Sequence, residues 1–192
     1  MPLNIYTFSH PIIQLLTNSI INKEPNKSLY QFNYQYIGLL LMYEILRNHI
    51  ETKILYVKYL NFTQDYHLID SRKKLYILTD LSKTYQMTTK INILLPQIKI
   101  EHIDYQNLDM LNKTINKFNL NNNNNMFFIL EKTLKSEKIT ILIKYLIKHT
   151  PLSLKNISIC CTICSHEILN KLGKLYPSLQ IYTTKIIYNT IK

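Results

Sequence analysis

The stretch that decides the fold runs from Met126 to Tyr182 and reads MFFILEKTLKSEKITILIKYLIKHTPLSLKNISICCTICSHEILNKLGKLYPSLQIY. Three apolar runs of strand length lie in it, at residues 126–130, 157–163 and 179–182. Between them, apolar residues recur at helical spacing over 139–147 and 168–175. Strands and helices that alternate at these distances predict a parallel βαβαβ unit with right-handed crossovers.

Residues 131–138 join the first of these strands to the next helix and are predicted to form a polar turn. Ligands of open parallel sheets bind at this place, at the carboxyl end of a strand and against the first turn of the following helix. A loop that cradles a phosphate needs glycine, because its N–H groups must point at the anion without a Cβ in the way. This segment has no glycine, and it places Glu137 where a phosphate needs a donor.

The same stretch resembles the uracil phosphoribosyltransferase family. Members end the first strand with Val-Asp-Pro-x-Leu-Ala-Thr-Gly-Gly-Thr/Ser, which holds the 5-phosphate of phosphoribosyl pyrophosphate. Residues 131–138 lie in register with that motif, with Glu131 at the acidic position and Ser136 at the threonine. Glu137 and Lys138 replace both glycines. The resemblance therefore implies that Glu131, as the acid for the ribose hydroxyls, and Ser136 are what remains of a degenerate ligand loop.

Two further segments of the chain carry the resemblance. Residues 38–45, GLLLMYEI, are similar to the family's Gly-x-Leu-Leu-x-Tyr-Glu-Ala. Residues 76–81, YILTDL, stand where the family has Pro-Ile-Leu-Arg-Ala-Gly, a loop that holds pyrophosphate. Thr79 replaces the arginine of that loop, and Asp80 adds a negative charge. The family's C-terminal segment, which binds the uracil edge through its backbone, is expected to be absent.

The resemblance implies an α/β fold of the type I phosphoribosyltransferase kind, in which a parallel sheet carries helices on both faces and an N-terminal helical arm. We expect residues 1–192 to form a single domain of this kind. Residues 53–60 and 66–69 alternate like a hairpin outside the parallel sheet. Residues 112–125 are predicted to be a mobile loop, because 119–125 are of low complexity and almost entirely asparagine.

Composition indicates where the protein is made more than what it binds. The chain carries 23 Lys and Arg against 12 Asp and Glu, a net charge of +11, yet the charges are dispersed. Only 2 glycines occur, whereas Asn, Lys, Ile and Tyr are abundant, as an AT-rich organellar genome would produce. We therefore expect the plastid stroma, with the cytoplasm as the alternative. No apolar run approaches the ~20 residues that span a membrane, and the start of the chain does not resemble a secretory signal.

Several side chains have a second explanation. Glu131 is also expected to act as a carboxylate near a helix N-terminus, stabilising it by roughly 0.3–1 kcal/mol, and Ser136 as a helix cap. The lost glycines favour these explanations. Cys161, Cys164 and His166 have spacing that resembles a zinc site. Buried cysteines are common core residues, however, and neighbours in a strand point to opposite faces. We therefore assign no metal site and no catalytic residue.

Three functions remain open. The favoured one is a homologue of uracil phosphoribosyltransferase that has lost catalysis and serves as a structural or interaction protein. The second is an active enzyme that makes UMP from uracil and phosphoribosyl pyrophosphate with Mg²⁺ as cofactor. The third is a basic RNA-binding regulator, which the dispersed charge disfavours. The first two predicted helices are apolar on more than one face, at Leu15, Leu16, Ile20 and residues 39–42, which predicts a homodimer or a dimer with a related chain.

Overall fold

The computed structural model describes residues 3–22, 25–70, 73–105, 107–116, 118, 125–150 and 152–188. The strands are β1 Asn4–Thr7, β2 Thr52–Lys58, β3 Thr63–Ile69, β4 Leu75–Thr79, β5 Lys99–His102, β6 Met126–Leu134, β7 Ile157–Ser165 and β8 Gln180–Ile187. The helices are α1 Pro11–Ile21, α2 Lys27–Leu46, α3 Leu81–Thr88, α4 Ile91–Leu94, α5 Leu108–Asn116, α6 Lys138–His149 and α7 His166–Leu175. A single 3₁₀ turn, Leu154–Asn156, precedes β7 among the described residues.

Six of these strands form one sheet in the order β1-β8-β7-β6-β4-β5, and every pair in it is parallel. The predicted βαβαβ unit is confirmed as its β6–β7–β8 part. The predicted hairpin is also confirmed, because β2 and β3 pair antiparallel in a separate two-stranded sheet. The carboxyl ends of β4, β5 and β6 therefore meet at one edge of the main sheet.

Helices cover both faces of this sheet, as the resemblance implied. The core between the sheet and α5, α6 and α7 contains Phe127 and Ile129 of β6. Their neighbours Phe128 and Leu130 point the other way, into the core beneath α1, α2 and α3. A strand covered on both sides has no polar face, which is why β4 and β7 are buried at every position.

Two segments differ from the expectation. The polar turn predicted at 131–138 is wrong in its first half, since β6 continues to Leu134, which is buried and pairs with Cys164. The loop predicted at 112–125 is wrong at 112–116, which belong to α5. Packing overrides the weak helix propensity of asparagine there, because Leu111 and Ile115, one turn apart, enter the core. Residues 119–124 lie outside the described residues.

Pairing along the three C-terminal strands is interrupted at one level of the sheet. The β6–β7 ladder passes from Glu131↔Cys161 to Thr133↔Ile163 without the step between them, and β7–β8 omits the matching step. The register is the same on both sides of the gap, so neither strand gains a residue. Cys161 and Cys164 nevertheless both face the α5–α7 core, although three residues along a regular strand would separate them onto opposite faces.

Candidate functional site

A cleft opens at the carboxyl ends of β4, β5 and β6, where the sheet topology places ligands. It consists of two adjoining chambers. The β6 chamber measures about 240 Å³ and is lined by Lys83, Tyr105, Glu131, Thr133, Leu134, Lys135, Ser136, Lys138 and Ile139. The β4 chamber measures about 230 Å³ and is lined by Asp80, Ser82, Lys83, His102, Asp104, Tyr105 and Lys138. Both candidate residues from the sequence, Glu131 and Ser136, therefore line this cleft.

Glu131 is bound by a tyrosine that the sequence reasoning did not select. The hydroxyl of Tyr105, three residues beyond β5, donates a hydrogen bond to Glu131 Oε1. Because β4 lies between β5 and β6, this contact passes over the carboxyl end of β4. Burial raises the pKa of Glu131, and the hydrogen bond from Tyr105 and the charge of Lys83 oppose that rise only in part. Burial also raises the pKa of Tyr105, and the Glu131 charge adds to it.

The expectation that Glu131 stabilises a helix N-terminus is wrong. Glu131 lies within β6, and α6 begins only at Lys138. The capping role expected of Ser136 has a structural counterpart, since its Oγ accepts a hydrogen bond from Lys138 N at 3.3 Å. Glu137 stands at the cap position by its backbone, but its side chain makes no bond to the helix.

Glu137 does not direct its charge into the cleft. Its carboxylate pairs with Lys171 of α7, and it is absent from the residues that line the two chambers. The side chains that line this part of the cleft are instead two exposed cations, Lys135 and Lys138. The sequence argument that Glu137 places like charge against a phosphate is therefore not supported by the geometry.

Asp80 caps α3 from the other side of the cleft. Its Oδ1 accepts hydrogen bonds from Ser82 N at 3.2 Å and Ser82 Oγ at 2.6 Å, and its Oδ2 pairs with Lys83 Nζ at 2.6 Å. Partial burial raises the pKa of Asp80, but the bonds from Lys83 and Ser82 outweigh it and the net shift is downward. The negative charge predicted here thus exists, and it occupies the N-terminus of α3 itself.

Thr79, which stands in the place of the family's arginine, has become part of the core. It is fully buried, and its Oγ1 donates to Leu130 O at 2.5 Å and lies 2.7 Å from Thr84 Oγ1. The side chain therefore ties the ends of β4 and β6 to α3. It offers nothing to a ligand in the cleft.

The cysteines do not form the zinc arrangement that the spacing resembled. Cys160 points into one core and Cys161 and Cys164 into the other, all three being buried. His166 begins α7, and its ring lies 4.8 Å from that of Tyr188. Within the described ranges, no three His, Cys, Asp or Glu side chains come together as metal ligands would.

Sequence reasoning missed Lys83 and Tyr105, which connect the two chambers. Lys83 could have been selected from the sequence, because an acid and a lysine three residues apart at the start of a helix form a common pair. The hydrogen bond from Asp80 raises the pKa of Lys83, and the charges of Glu131 and Asp104 add to the rise. Tyr105 had no such signal, since its partner lies 26 residues away in the chain.

The sheet order, the helices on both faces and a cleft at the carboxyl ends of the strands define a phosphoribosyltransferase-like α/β fold. The structure of the AQ2163 protein from Aquifex aeolicus shares this fold with a TM-score of 0.71 and 13% sequence identity. The similarity covers 96% of this chain and 88% of that one. A family model for uracil phosphoribosyltransferase matches residues 7–189, and the chain belongs to that family.

Relatives from photosynthetic organisms support the assignment. The chain is 28% identical over 187 residues to a uracil phosphoribosyltransferase homolog of Porphyra purpurea, covering 97% of this chain and 89% of that protein. It is 29% identical over 192 residues to the homolog of Pyropia yezoensis, covering 100% and 92%. A chloroplastic uracil phosphoribosyltransferase of Arabidopsis thaliana is 22% identical over 185 residues, covering 93% of this chain and 62% of that protein.

Proposed function

We propose that this chain is a non-catalytic member of the uracil phosphoribosyltransferase family that acts as a structural or interaction protein. The observation that carries the proposal is the position of Asp80. The N–H groups at a helix N-terminus bind anions, but the carboxylate of Asp80 already accepts from the backbone of Ser82 and pairs with Lys83. A pyrophosphate at this loop would have to displace an internal anion and then face its charge.

The loop on the opposite side of the cleft supports the same proposal. A phosphate nest requires consecutive N–H groups that are free to converge on the ligand. Here the strand continues through Thr133 and Leu134, and both are paired with β7. Only residues 135–137 remain between β6 and α6, and none is glycine. Losing even one well-placed donor costs roughly 10²–10³ in rate, so the combined losses are expected to abolish transfer.

The test is a titration of the purified chain with phosphoribosyl pyrophosphate and Mg²⁺ by calorimetry, together with an assay of UMP formation from uracil. We expect no saturable heat at millimolar ligand and no UMP. Turnover by the wild-type chain would refute the proposal and establish the second candidate, an active enzyme of pyrimidine salvage. One observation favours that candidate, since the cleft retains Glu131 beside three lysines, Lys83, Lys135 and Lys138.

We propose a second copy of this chain, or a related chain, as the interaction partner. A helix that is apolar all round is normally buried, and α2 is apolar on two sides. Its inner side, with Leu41 and Met42, belongs to the core. Its outer side exposes a stripe of large apolar residues at Leu29, Phe32, Tyr36 and Tyr43. On α1, Leu15 is 69% exposed, which adds to the surface that a partner would cover.

The hairpin extends this argument. One face of β2–β3 brings Leu55 opposite Tyr66, and Leu68 lies next along the same face. All three side chains are at least one third exposed. An isolated two-stranded hairpin is at best marginally stable in water, so a partner that covers this face would stabilise it.

We place this function in the plastid stroma, which accords with the red algal relatives and the chloroplastic relative. None of the described helices is long and apolar enough to cross a membrane. An antibody against the chain should detect it in the stromal fraction of isolated plastids. Detection in the cytosolic fraction alone would refute the assignment.

A further inference from the structure

Three side chains, Lys83, Tyr105 and Lys138, line both chambers of the cleft. Tyr105 is the uncharged one, and its hydroxyl bonds to Glu131 on the β6 side. Each chamber, at about 240 and 230 Å³, is smaller than the roughly 300–1,000 Å³ typical of small-molecule sites. Together the two adjoining chambers reach that range, and Tyr105 lines both of them.

Glu131 is the hydroxyl acceptor of this space. Its carboxylate is half-buried in the lining of the β6 chamber, and it accepts a hydrogen bond from the phenol of Tyr105. A carboxylate oxygen in that setting binds an O–H group strongly, because the bond is charge-assisted. The O–H group of a ligand would need the same oxygen and the same approach as the phenol.

The β6 chamber is also lined by positively charged side chains. Lys135 and Lys138 line it from the segment after β6, and Ser136 lies between them with an exposed side chain. A molecule that carries hydroxyl groups at one end and an anionic group at the other matches Glu131 and these lysines. A small sugar phosphate has this chemistry, and its hydroxyls would compete with Tyr105.

We propose that Tyr105 is an internal stopper of the cleft: its hydroxyl occupies the position on Glu131 that a sugar hydroxyl would take. The inference rests on the proposed function, since it concerns the cleft of the same chain in its non-catalytic form. It adds the residue that keeps ligands out. A ligand can bind only the fraction of molecules in which Tyr105 has moved away, and its apparent affinity falls by that fraction.

The ring of Tyr105 also packs against the α5–α7 core, so a purely structural role has to be distinguished from a stopper. Removal of the hydroxyl alone separates the two, because Tyr105→Phe keeps the ring and its packing. A stopper predicts a gain of ligand affinity on that change, whereas a structural tyrosine predicts a loss of stability and no gain.

The experiment is an NMR titration of the full chain with ribose 5-phosphate. We expect Tyr105→Phe to bind at least 10-fold more tightly than wild type. The matched control is Tyr85→Phe, on the exposed side of α3, which should bind as wild type does. The double variant Tyr105→Phe with Glu131→Gln should lose the gain. Inorganic phosphate, which has no sugar hydroxyl, should bind Tyr105→Phe and wild type equally.

Equal binding of ribose 5-phosphate by wild type and Tyr105→Phe, including no binding by either at 10 mM as an order-of-magnitude ceiling for weak ligands, would overturn the inference. So would a gain of affinity that persists without Glu131 or that extends to inorganic phosphate, because both indicate a general loosening of the protein around the cleft.

A measurement on the wild-type chain keeps the test valid if the variant does not fold. Excess ribose 5-phosphate should shift the phenol ¹³Cζ resonance of Tyr105 in proportion to the fraction of molecules bound, and an unchanged resonance would overturn the inference. UMP formation by wild type would refute the proposed function and leave these comparisons intact.

Discussion

A Cβ atom on Gly38 of α2 would lie 2.3 Å from the carbonyl oxygen of Met87 in α3. The backbones of the two helices approach too closely there for any side chain. This contact explains why one of only 2 glycines in the chain lies in the middle of a 20-residue helix, where glycine is unfavourable. Since α3 begins at the cap residue Asp80, the contact also fixes one wall of the cleft.

Gly38→Ala is expected to lower the free energy of unfolding by about 1–3 kcal/mol, because overpacking against backbone has no side chain that can yield. Urea unfolding followed by circular dichroism measures it. Gly173→Ala in α7 is the matched control, since its Cβ would meet Leu3 Cβ at an ordinary 3.4 Å. Helix propensity alone should then make that variant more stable by up to about 1 kcal/mol. Equal behaviour of the two variants would contradict the helix contact.

Glu131→Gln should stabilise the protein at neutral pH. Burial raises the pKa of Glu131 in the folded state above its ordinary value of 4.5. The contribution of a carboxyl with a raised pKa is fully present below the unfolded pKa and is lost as the pH rises through the folded pKa. Glutamine cannot ionise, and it still accepts the Tyr105 hydrogen bond. The difference in Tm between variant and wild type should therefore grow from pH 4 to pH 8, and a difference independent of pH would refute the explanation.

Substitutions of Asp80 test how much the cap of α3 contributes to stability. Asp80→Ala removes the acceptor for Ser82 and the partner of Lys83, and it should cost about 1 kcal/mol or somewhat more at pH 7. Asp80→Asn keeps the cap and should cost less. The pKa of Asp80 is lowered in the folded state, so its charge contributes stability above the unfolded value of 3.8 and loses it as the pH falls. The gap between wild type and Asp80→Asn should accordingly narrow as the pH falls below 3.8 and through the lowered folded-state pKa, in chemical denaturation.

The exposed stripe of α2 should mediate association. We expect light scattering to give the mass of a dimer for wild type and of a monomer for Phe32→Glu, because a charge buried without a partner is strongly unfavourable. Leu175→Glu at the end of α7 is the control, since that residue is exposed on the opposite side of the sheet. A dimer that survives Phe32→Glu but not Leu175→Glu would place the interface on the other face.

Glu137→Gly should leave UMP formation below detection. The substitution restores one glycine of the family motif, but Glu137 faces Lys171 and not the cleft. Thr79 and Asp80 stay as they are on the opposite side. A radiochemical assay with labelled uracil measures the outcome, and turnover in this variant would show that the loop alone limits the enzyme.

Symmetric burial makes a strand easy to predict from its sequence. The run from Ile157 to Ile163 is apolar throughout because β7 is covered on both faces, and the pattern alone identified it. Residues 131–134 could not be identified, because β6 leaves the double core there and alternates between Glu131 in the cleft and Lys132 on the opposite face. Lys132 Nζ lies 4.2 Å from the centre of the Tyr34 ring and bonds to Gln86.

The sequence predicted where the candidate site lies but not which side chains contact one another in it. Glu131 and Ser136 could be selected because the topology of a parallel sheet fixes where ligands bind. Their partners could not, since the contact between Tyr105 and Glu131 depends on which strand lies between β5 and β6. That strand, β4, occurs earlier in the chain than either of them. Local pattern carries no information on such an order.

The pairing of β1 with β8 also delays the assembly of the N-terminal strand during synthesis. Thr17 of α1 hydrogen-bonds to Thr184 of β8 across a separation of 167 residues. At the roughly 5–20 residues per second of translation, the N-terminal strand and its helix wait about 8–35 s before their partner leaves the ribosome. Throughout that interval β1 lacks its partner in the sheet, because β8 has not yet been synthesised. A nascent chain of this protein therefore carries an unpaired N-terminal strand until β8 emerges.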